Sequence, residues 1–429
     1  MVDVAEVNIW GEFVGAVAWD DRTQIAGFEY DPGFLTKNSD LAPLKMPASS
    51  GRQVFSFPEL RGNSTFNGLP GLLADSLPDK YGNQLINTWL AEKGRAPDSM
   101  NPVEKLCFIG TRGMGALEFQ PALFKKAKNT SSVEIESLVE LSNKILNQRK
   151  NFHTKLNANE KDAMKNILRI GTSAGGMRAK AIIAYNEKTG EVRSGQTRAP
   201  KGFEHWLIKL DGVSDEQLGD PKGYGRIEMA YYLMAKDCGI DMMECRLLEE
   251  NNRAHFMTRR FDRESSDTKH HIQTFCAMQH YDYKEVLSYS YEQLFQTMRM
   301  LRLPYPQAEQ MFRRMVFNVL ANNCDDHTKN FAFRLKKDSD WELAPAYDIS
   351  YSYDPQSKWV SQHALSINGK RNNILKSDLL AVAKSMNIKK AEQIISQINE
   401  VIKKWPAYAE QTRVAAKKRD AVTSTLNIL

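Results

Sequence analysis

The sequence predicts an α+β chain with a β-rich amino-terminal part, a mixed middle third and a mostly helical remainder. Three observations predict it. Residues 4–31 alternate apolar and polar side chains in short runs ended by Gly or Asp, the mark of a small β-meander. Residues 181–185, 204–210 and 254–261 read as strands around a stretch at 225–238 with apolar residues at helical spacing. From Ser288 onward, SYEQLFQTMRMLRL, PQAEQMFRRMVFNVLANNC and the stretch from Ser377 to Ala415 all carry helical periodicity.

The elements follow in order. A polar, proline-bearing stretch runs from Leu41 to Pro58, and residues 66–94 turn helical after Pro78, with Asp75 and Ser76 as candidate caps. Gly110, Gly113 and Gly115 punctuate a turn before the strand LEFQPAL, and 126–150 reads as a connector plus the helix VEIESLVELSNKILNQ. GTSAGGMRAK (171–180) is a Gly-rich turn leading into AIIAY, then the turn NEKTG, then EHWLIKL. CRLLEE and AHFMTRRF read as paired strands. The 429 residues fit two or three domains, drawn here at 1–130, 131–270 and 271–429.

Composition excludes several classes. With 42% hydrophobic and 26% charged residues, the chain has a globular balance rather than a disordered one. The net charge of +6, from 58 basic and 52 acidic residues, is too mild for a dedicated nucleic-acid binder. Cys107, Cys238, Cys245, Cys276 and Cys324 are odd in number, widely spaced and form no CxxC pair. That argues against a zinc site or disulfide framework and for a reducing compartment. The opening MVDVAEVNIWGEFVG lacks a signal-peptide pattern, and no stretch approaches the ~20 apolar residues that span a bilayer. The expected location is the cytoplasm, with no membrane partner.

Chemistry concentrates in residues 322–350, NNCDDHTKNFAFRLKKDSDWELAPAYDIS. Asp325 and Asn330 lie five positions apart after an apolar helix; a β-pattern, a turn and a second strand then lead to Asp348, 18 residues beyond Asn330. Phosphoryl transfer needs this set. One carboxylate accepts the proton of the incoming hydroxyl, while an amide oxygen and a second carboxylate hold magnesium against the ATP phosphates. The alternative is a polar loop that merely caps a helix. The five-position spacing selects Asp325 over Asp326 as base, leaving Asp326 solvent-facing or loop-stabilising. His327 either orients the loop or is a partly buried structural residue. Lys329 either reaches the γ-phosphate or sits at the surface.

A kinase also needs a cation for the α and β phosphates. Lys209, alternating out of the apolar strand WLIKL, fits that role or that of an edge-strand lysine, and Glu228 is its candidate partner. The turn containing Ser173, Ala174, Gly175 and Gly176 reads as a phosphate-covering loop or as a plain hairpin turn. The sheet–helix–sheet middle followed by a helical part is the pattern of a two-lobed protein-kinase-like fold.

AGGMRAK, HWLIKL, RRFDRE, DDHTKNFAF and PAYDIS together resemble the HipA family, toxin kinases of bacterial toxin–antitoxin pairs. The resemblance covers nearly the whole chain and is looser in the amino-terminal part. It implies Asp325 as catalytic base, Asn330 and Asp348 as magnesium ligands, and Lys209 as phosphate-binding lysine. It implies an adenine hinge at Arg259, Arg260 and Phe261, although the family's glutamate is replaced by Arg259. It also implies autophosphorylation in the Gly-rich loop, at Ser173 or Thr172. ATP and Mg2+ would be the cofactors. A HipB-like helix-turn-helix antitoxin would be the partner, carrying the chain to operator DNA as co-repressor. The substrate would be a translation protein such as glutamyl-tRNA synthetase, whose phosphorylation produces dormancy and persistence. Two other readings remain: a small-molecule or lipid kinase, and an inactive regulator of antitoxin–DNA binding.

Overall fold

The computed structural model describes residues 2–37, 39–123, 132–147, 168, 171, 178–195, 199–213, 223–264 and 268–429. It divides into two compact units. The first comprises Met1–Ala42, Met46–Lys222 and Leu248–His271; the second comprises Pro43–Lys45, Gly223–Leu247 and Ile272–Leu429. Residues on either side of position 130 share the first unit, and the chain enters the second for good at Ile272.

The meander forms as its alternation requires. Strands β1 (Val4–Ile9), β2 (Glu12–Asp20), β3 (Ile25–Tyr30) and β4 (Val54–Phe55) join β5 (Leu117–Gln120) in an antiparallel sheet ordered β4-β3-β2-β1-β5. Val7, Ile9, Val17, Phe28 and Phe119 are buried. Gly15 must stay glycine, because a Cβ there would meet the Glu29 carbonyl oxygen at 2.1 Å. Single turns α1 (Pro32–Leu35) and α2 (Gly71–Ala74) precede the longer α3 (Lys80–Glu92) and α4 (Pro102–Ile109). The cap of α3 is Asp79, which accepts from Gly82 N, rather than Asp75 or Ser76. Asp75 instead ends α2, so the helix expected after Pro78 starts one residue beyond a fresh carboxylate cap.

The second sheet of this unit holds β6 (Lys180–Tyr185), β7 (Val192–Ser194), β8 (Glu204–Lys209), β9 (Cys245–Glu250) and β10 (Arg253–Arg259), ordered β7-β6-β8-β10-β9. One face carries Ala181, Ile183, Trp206, Ile208 and Met257, in a core with Leu85 of α3 and Leu138 of α5 (Ile135–Asn147). Lys209 follows Ile208, so strand alternation places it on the opposite face. There its ammonium lies 5.8 Å from the ring centroid of its cross-strand partner Phe256.

The second unit is mainly helical. It contains α6 (Tyr224–Asp237), α7 (Phe275–Gln279), α8 (Tyr291–Met300), α9 (Tyr305–Leu320), α10 (Lys376–Met386), α11 (Ala391–Ile402), α12 (Trp405–Gln411) and α13 (Ala416–Thr423). A small sheet is ordered β11 (His271–Thr274), β12 (Ala332–Leu335), β13 (Trp341–Leu343). The apolar face of α9 is Met311, Phe312, Met315, Val316, Val319 and Leu320, spaced by three and four, and all are buried. Tyr231 of α6 sits edge-on between Phe317 and Trp405, at 6.0 and 5.5 Å, and donates to Ala321 O at 2.6 Å. That bond fixes the end of α9, from which the loop of interest emerges. The expected α+β class, with β-rich amino-terminal and helical carboxy-terminal parts, is what forms. Among the described residues no helix is long and apolar enough to cross a membrane.

Candidate active site

The end of α9 delivers Asn322–Asn330 as a tied loop. Cys324 N donates to Ser352 O and Ser352 N to Asn322 O, at 3.0 and 3.2 Å. Thr328–Asn330 form one tight turn, with Asn330 N donating to His327 O at 2.9 Å. The Asn330 side chain then folds back: its Nδ2 donates to the Asp325 carbonyl at 2.7 Å. The five-residue spacing therefore closes a ring, and Asn330 Oδ1 accepts no bond from the described residues. The Asp325 side chain stands 44% exposed at the mouth of this ring. His327 Nε2 lies 3.8 Å from Asp325 Oδ1, too far for a hydrogen bond.

Asp348 lies beyond the β12–β13 hairpin, after Leu343, with φ of +55°, in the left-handed region that Asp tolerates better than most residues. Tyr347 OH donates to Lys329 O at 2.7 Å. One hydrogen bond thus joins the neighbour of Asp348 to the neighbour of Asn330. Ala346 N donates to Asp241 O at 2.8 Å, which anchors the other side of the turn. Buried Arg314 donates to Ala344 O at 2.8 Å, and burial lowers its pKa to about 10.

Asp326 faces inward, which settles the choice left by the sequence: it stabilises the loop and does not face solvent. Its carboxylate accepts from Ala364 N (2.7 Å) and Tyr291 OH (2.8 Å), and lies 2.9 Å from His363 Nδ1. Tyr291 OH accepts from Asn318, which accepts from Asn323, at 2.9 Å each. Burial opposes charge on His363, yet the Asp326 carboxylate overcomes it and raises the imidazole to about 10. His363 is therefore an imidazolium at neutral pH, sealed against a carboxylate. Nothing in the sequence marked it, because its partner lies 37 positions away.

Tyr283 organises the loop's outer side. Its ring lies 5.1 Å from that of His327, with the Lys329 and Lys284 ammoniums 5.2 and 5.6 Å from its centroid. Lys329 is thus held over an aromatic face rather than loose at the surface.

In the first unit, RRFDRE is a charged knot. Asp262 is fully buried, receives both Arg260 and Arg263, and accepts from Gly115 N at 2.8 Å. Burial works against its charge, but Arg260 and Arg263 hold the carboxyl well below the usual range. Arg260 also donates its N–H to His205 O. Arg259 pairs with Glu204 at 3.0 Å, and Phe261 is half-buried. Lys209 belongs to the first unit, whereas Glu228, buried on α6, belongs to the second. Thr172, Ser173, Ala174, Gly175 and Gly176 lie outside the described residues.

Family models match most of the chain: "HipA N-terminal domain" over residues 5–120 and "HipA-like C-terminal domain" over 172–405. The chain belongs to the HipA family. Its fold resembles a chain of the Shewanella oneidensis MR-1 toxin–antitoxin complex of HipA, HipB and operator DNA. The TM-score is 0.66 and the identity 17%, covering 98% of this chain and 94% of that one. The Helicobacter pylori proinflammatory kinase CtkA overlaps more loosely, with TM-score 0.34 and 14% identity, covering 52% of this chain and 88% of that one. No curated protein matches the chain.

Proposed function

We propose that this HipA-family chain is an ATP- and magnesium-dependent serine/threonine protein kinase acting as the toxin of a toxin–antitoxin pair. One observation carries the reading: Asn330 folds back onto the Asp325 main chain while the Asp325 carboxylate stays exposed. In this scheme Asp325 aligns the acceptor hydroxyl and takes its proton as the new O–P bond forms and the bond to ADP breaks. The donor set suits a hard cation, since Asn330 Oδ1 and the Asp348 carboxylate are oxygen ligands. Magnesium held there would neutralise charge on the phosphates. Lys209 supplies positive charge to the α and β phosphates, and the backbone of Arg259–Phe261 receives adenine. Ser173 or Thr172 is the proposed autophosphorylation site.

The partner and substrate are proposed by family likeness. A HipB-like antitoxin would carry the chain to operator DNA as co-repressor in the cytoplasm, by analogy with the Shewanella complex. A translation protein such as glutamyl-tRNA synthetase would receive the phosphate.

The test is incubation with radiolabelled ATP and magnesium, alone and with tRNA synthetases, beside Asp325→Ala. Label on protein from the wild type only supports the proposal. Label confined to a small molecule points to another kinase class. ATP binding with no transfer to any acceptor points to a regulator. No ATP binding removes the reading.

A further inference from the structure

Tyr283, Lys284, His327 and Lys329 gather on the outer side of the catalytic loop and have no part in the transfer scheme above. We propose that Tyr283 is a positioning residue whose ring face holds the Lys329 ammonium where that charge meets the transferring phosphoryl group. The proposal rests on the kinase reading and adds a residue to that same site.

The distances place this group at the base. His327 Nε2 is 3.8 Å from Asp325 Oδ1, the His327 and Tyr283 ring centroids are 5.1 Å apart, and the Lys329 ammonium is 5.2 Å from the Tyr283 centroid. Lys329 also lies where the two oxygen ligands of the scheme meet. It precedes Asn330, and its carbonyl accepts from the hydroxyl of Tyr347, the residue before Asp348. Phosphoryl transfer spreads negative charge over the phosphoryl oxygens, so a fixed ammonium beside that pair lowers the barrier.

Tyr283 is itself held. Thr328 Oγ1 donates to Tyr281 O at 2.9 Å, which ties the catalytic loop to the segment carrying Tyr283. Tyr281 stacks on Tyr289 at 4.4 Å and meets Phe275 edge-on at 5.3 Å. Asp282 N donates to Tyr289 OH at 3.1 Å, and Lys284 N donates to Asp282 Oδ1 at 3.0 Å. The Lys284 ammonium lies 5.6 Å from the same ring as Lys329. Burial lowers the pKa of Lys284, the Asp282 carboxylate opposes that, and the Lys329 charge adds to it, so the two ammoniums repel each other. The negative face of the ring offsets that repulsion. Holding a lysine costs its rotamer freedom, and a lysine serving solubility alone gains nothing in return.

The test uses the full chain with MgATP. Turnover is read as ADP release, which counts transfer to protein and to water alike, and ATP affinity is titrated separately. Position 283 is changed to Phe and then to phenylalanines bearing one, two and three ring fluorines. Fluorine drains the ring face of negative charge at nearly constant shape, and starting from Tyr283→Phe removes the hydroxyl from the comparison. From Phe to the trifluoro ring kcat is expected to fall stepwise, by about three- to tenfold, with ATP affinity and Tm unchanged. Tyr283→Leu should match the trifluoro ring. In a Lys329→Met background the fluorine series should be flat. A flat series with Lys329 present, a loss of ATP affinity at constant kcat, or a decline that persists in Lys329→Met overturns the proposal. A wild type that binds no MgATP, or binds it and releases no ADP, instead fells the kinase reading and this proposal with it.

Discussion

Replacing Asp326 by Asn removes the charge that holds His363 protonated while preserving shape. The carboxamide oxygen can still accept from Ala364 N, but the amide N–H2 offers Tyr291 OH no acceptor, so the change loses the ion pair and, at any pH, one buried hydrogen bond worth about 1 kcal/mol. His363 titrates at about 10 in the fold against 6.5 when unperturbed. A group raised in this way stabilises fully below pH 6.5 and loses its contribution as pH climbs through the folded value. Linkage converts this gap into about 4 kcal/mol at pH 7 and about 1 kcal/mol at pH 9.5. Asp326→Asn is therefore expected to cost the second unit about 4 kcal/mol of ion pairing at pH 7 and far less at pH 9.5, on top of the constant hydrogen-bond loss. Urea unfolding, read by proteolytic protection of second-unit fragments at both pH values, measures the difference. An equal penalty at both, or an NMR titration placing His363 near 6.5 in the wild type, refutes the reasoning.

Other expected outcomes follow from single contacts. Asp325→Ala should cut phosphotransfer by about 10²–10⁴-fold while MgATP binding persists, as nucleotide titration beside single-turnover transfer will read. Tyr347→Phe removes the bond to Lys329 O and should cost about 1 kcal/mol, with kcat falling more than KM rises. Asp79→Ala removes both the ion pair to Lys180, whose side chain is 2% exposed, and the carboxylate cap of α3, and should cost at least about 1 kcal/mol in thermal unfolding. Adding Lys180→Met should recover the part of the loss that belongs to the ion pair but not the part that belongs to the cap, because an apolar side chain of similar length needs no partner.

Much of this was legible in the sequence because its physics is local. Alternation at 4–31 gives β1–β3 directly, and the three-and-four spacing of Met311–Leu320 gives the buried face of α9. The Asp325–Asn330 spacing marked a closed loop because the ring it forms spans only those residues. What stayed hidden is long-range. Asp326 reads as one more polar loop residue until His363 and Tyr291 arrive from 37 positions after it and 35 before it. Arg260 differs, since its partner Asp262 is only two residues away and the charge balance within RRFDRE is itself local.

That charge knot bears on where the chain can be cut. Asp262 accepts from Gly115 N, Arg263 donates to the carbonyls of Gly113 and Gly115, and Lys269 reaches Thr111 O and Glu118. Trp10 Nε1 donates to Lys269 O at 2.7 Å. The segment matched by the amino-terminal family model is therefore stitched into the segment matched by the carboxy-terminal one. Inheritance and folding parcel this chain differently. A gene fragment beginning after residue 120 would begin with its arginine–carboxylate knot unbuttoned, so a chimera joined at that point separates residues that fold together in the first unit.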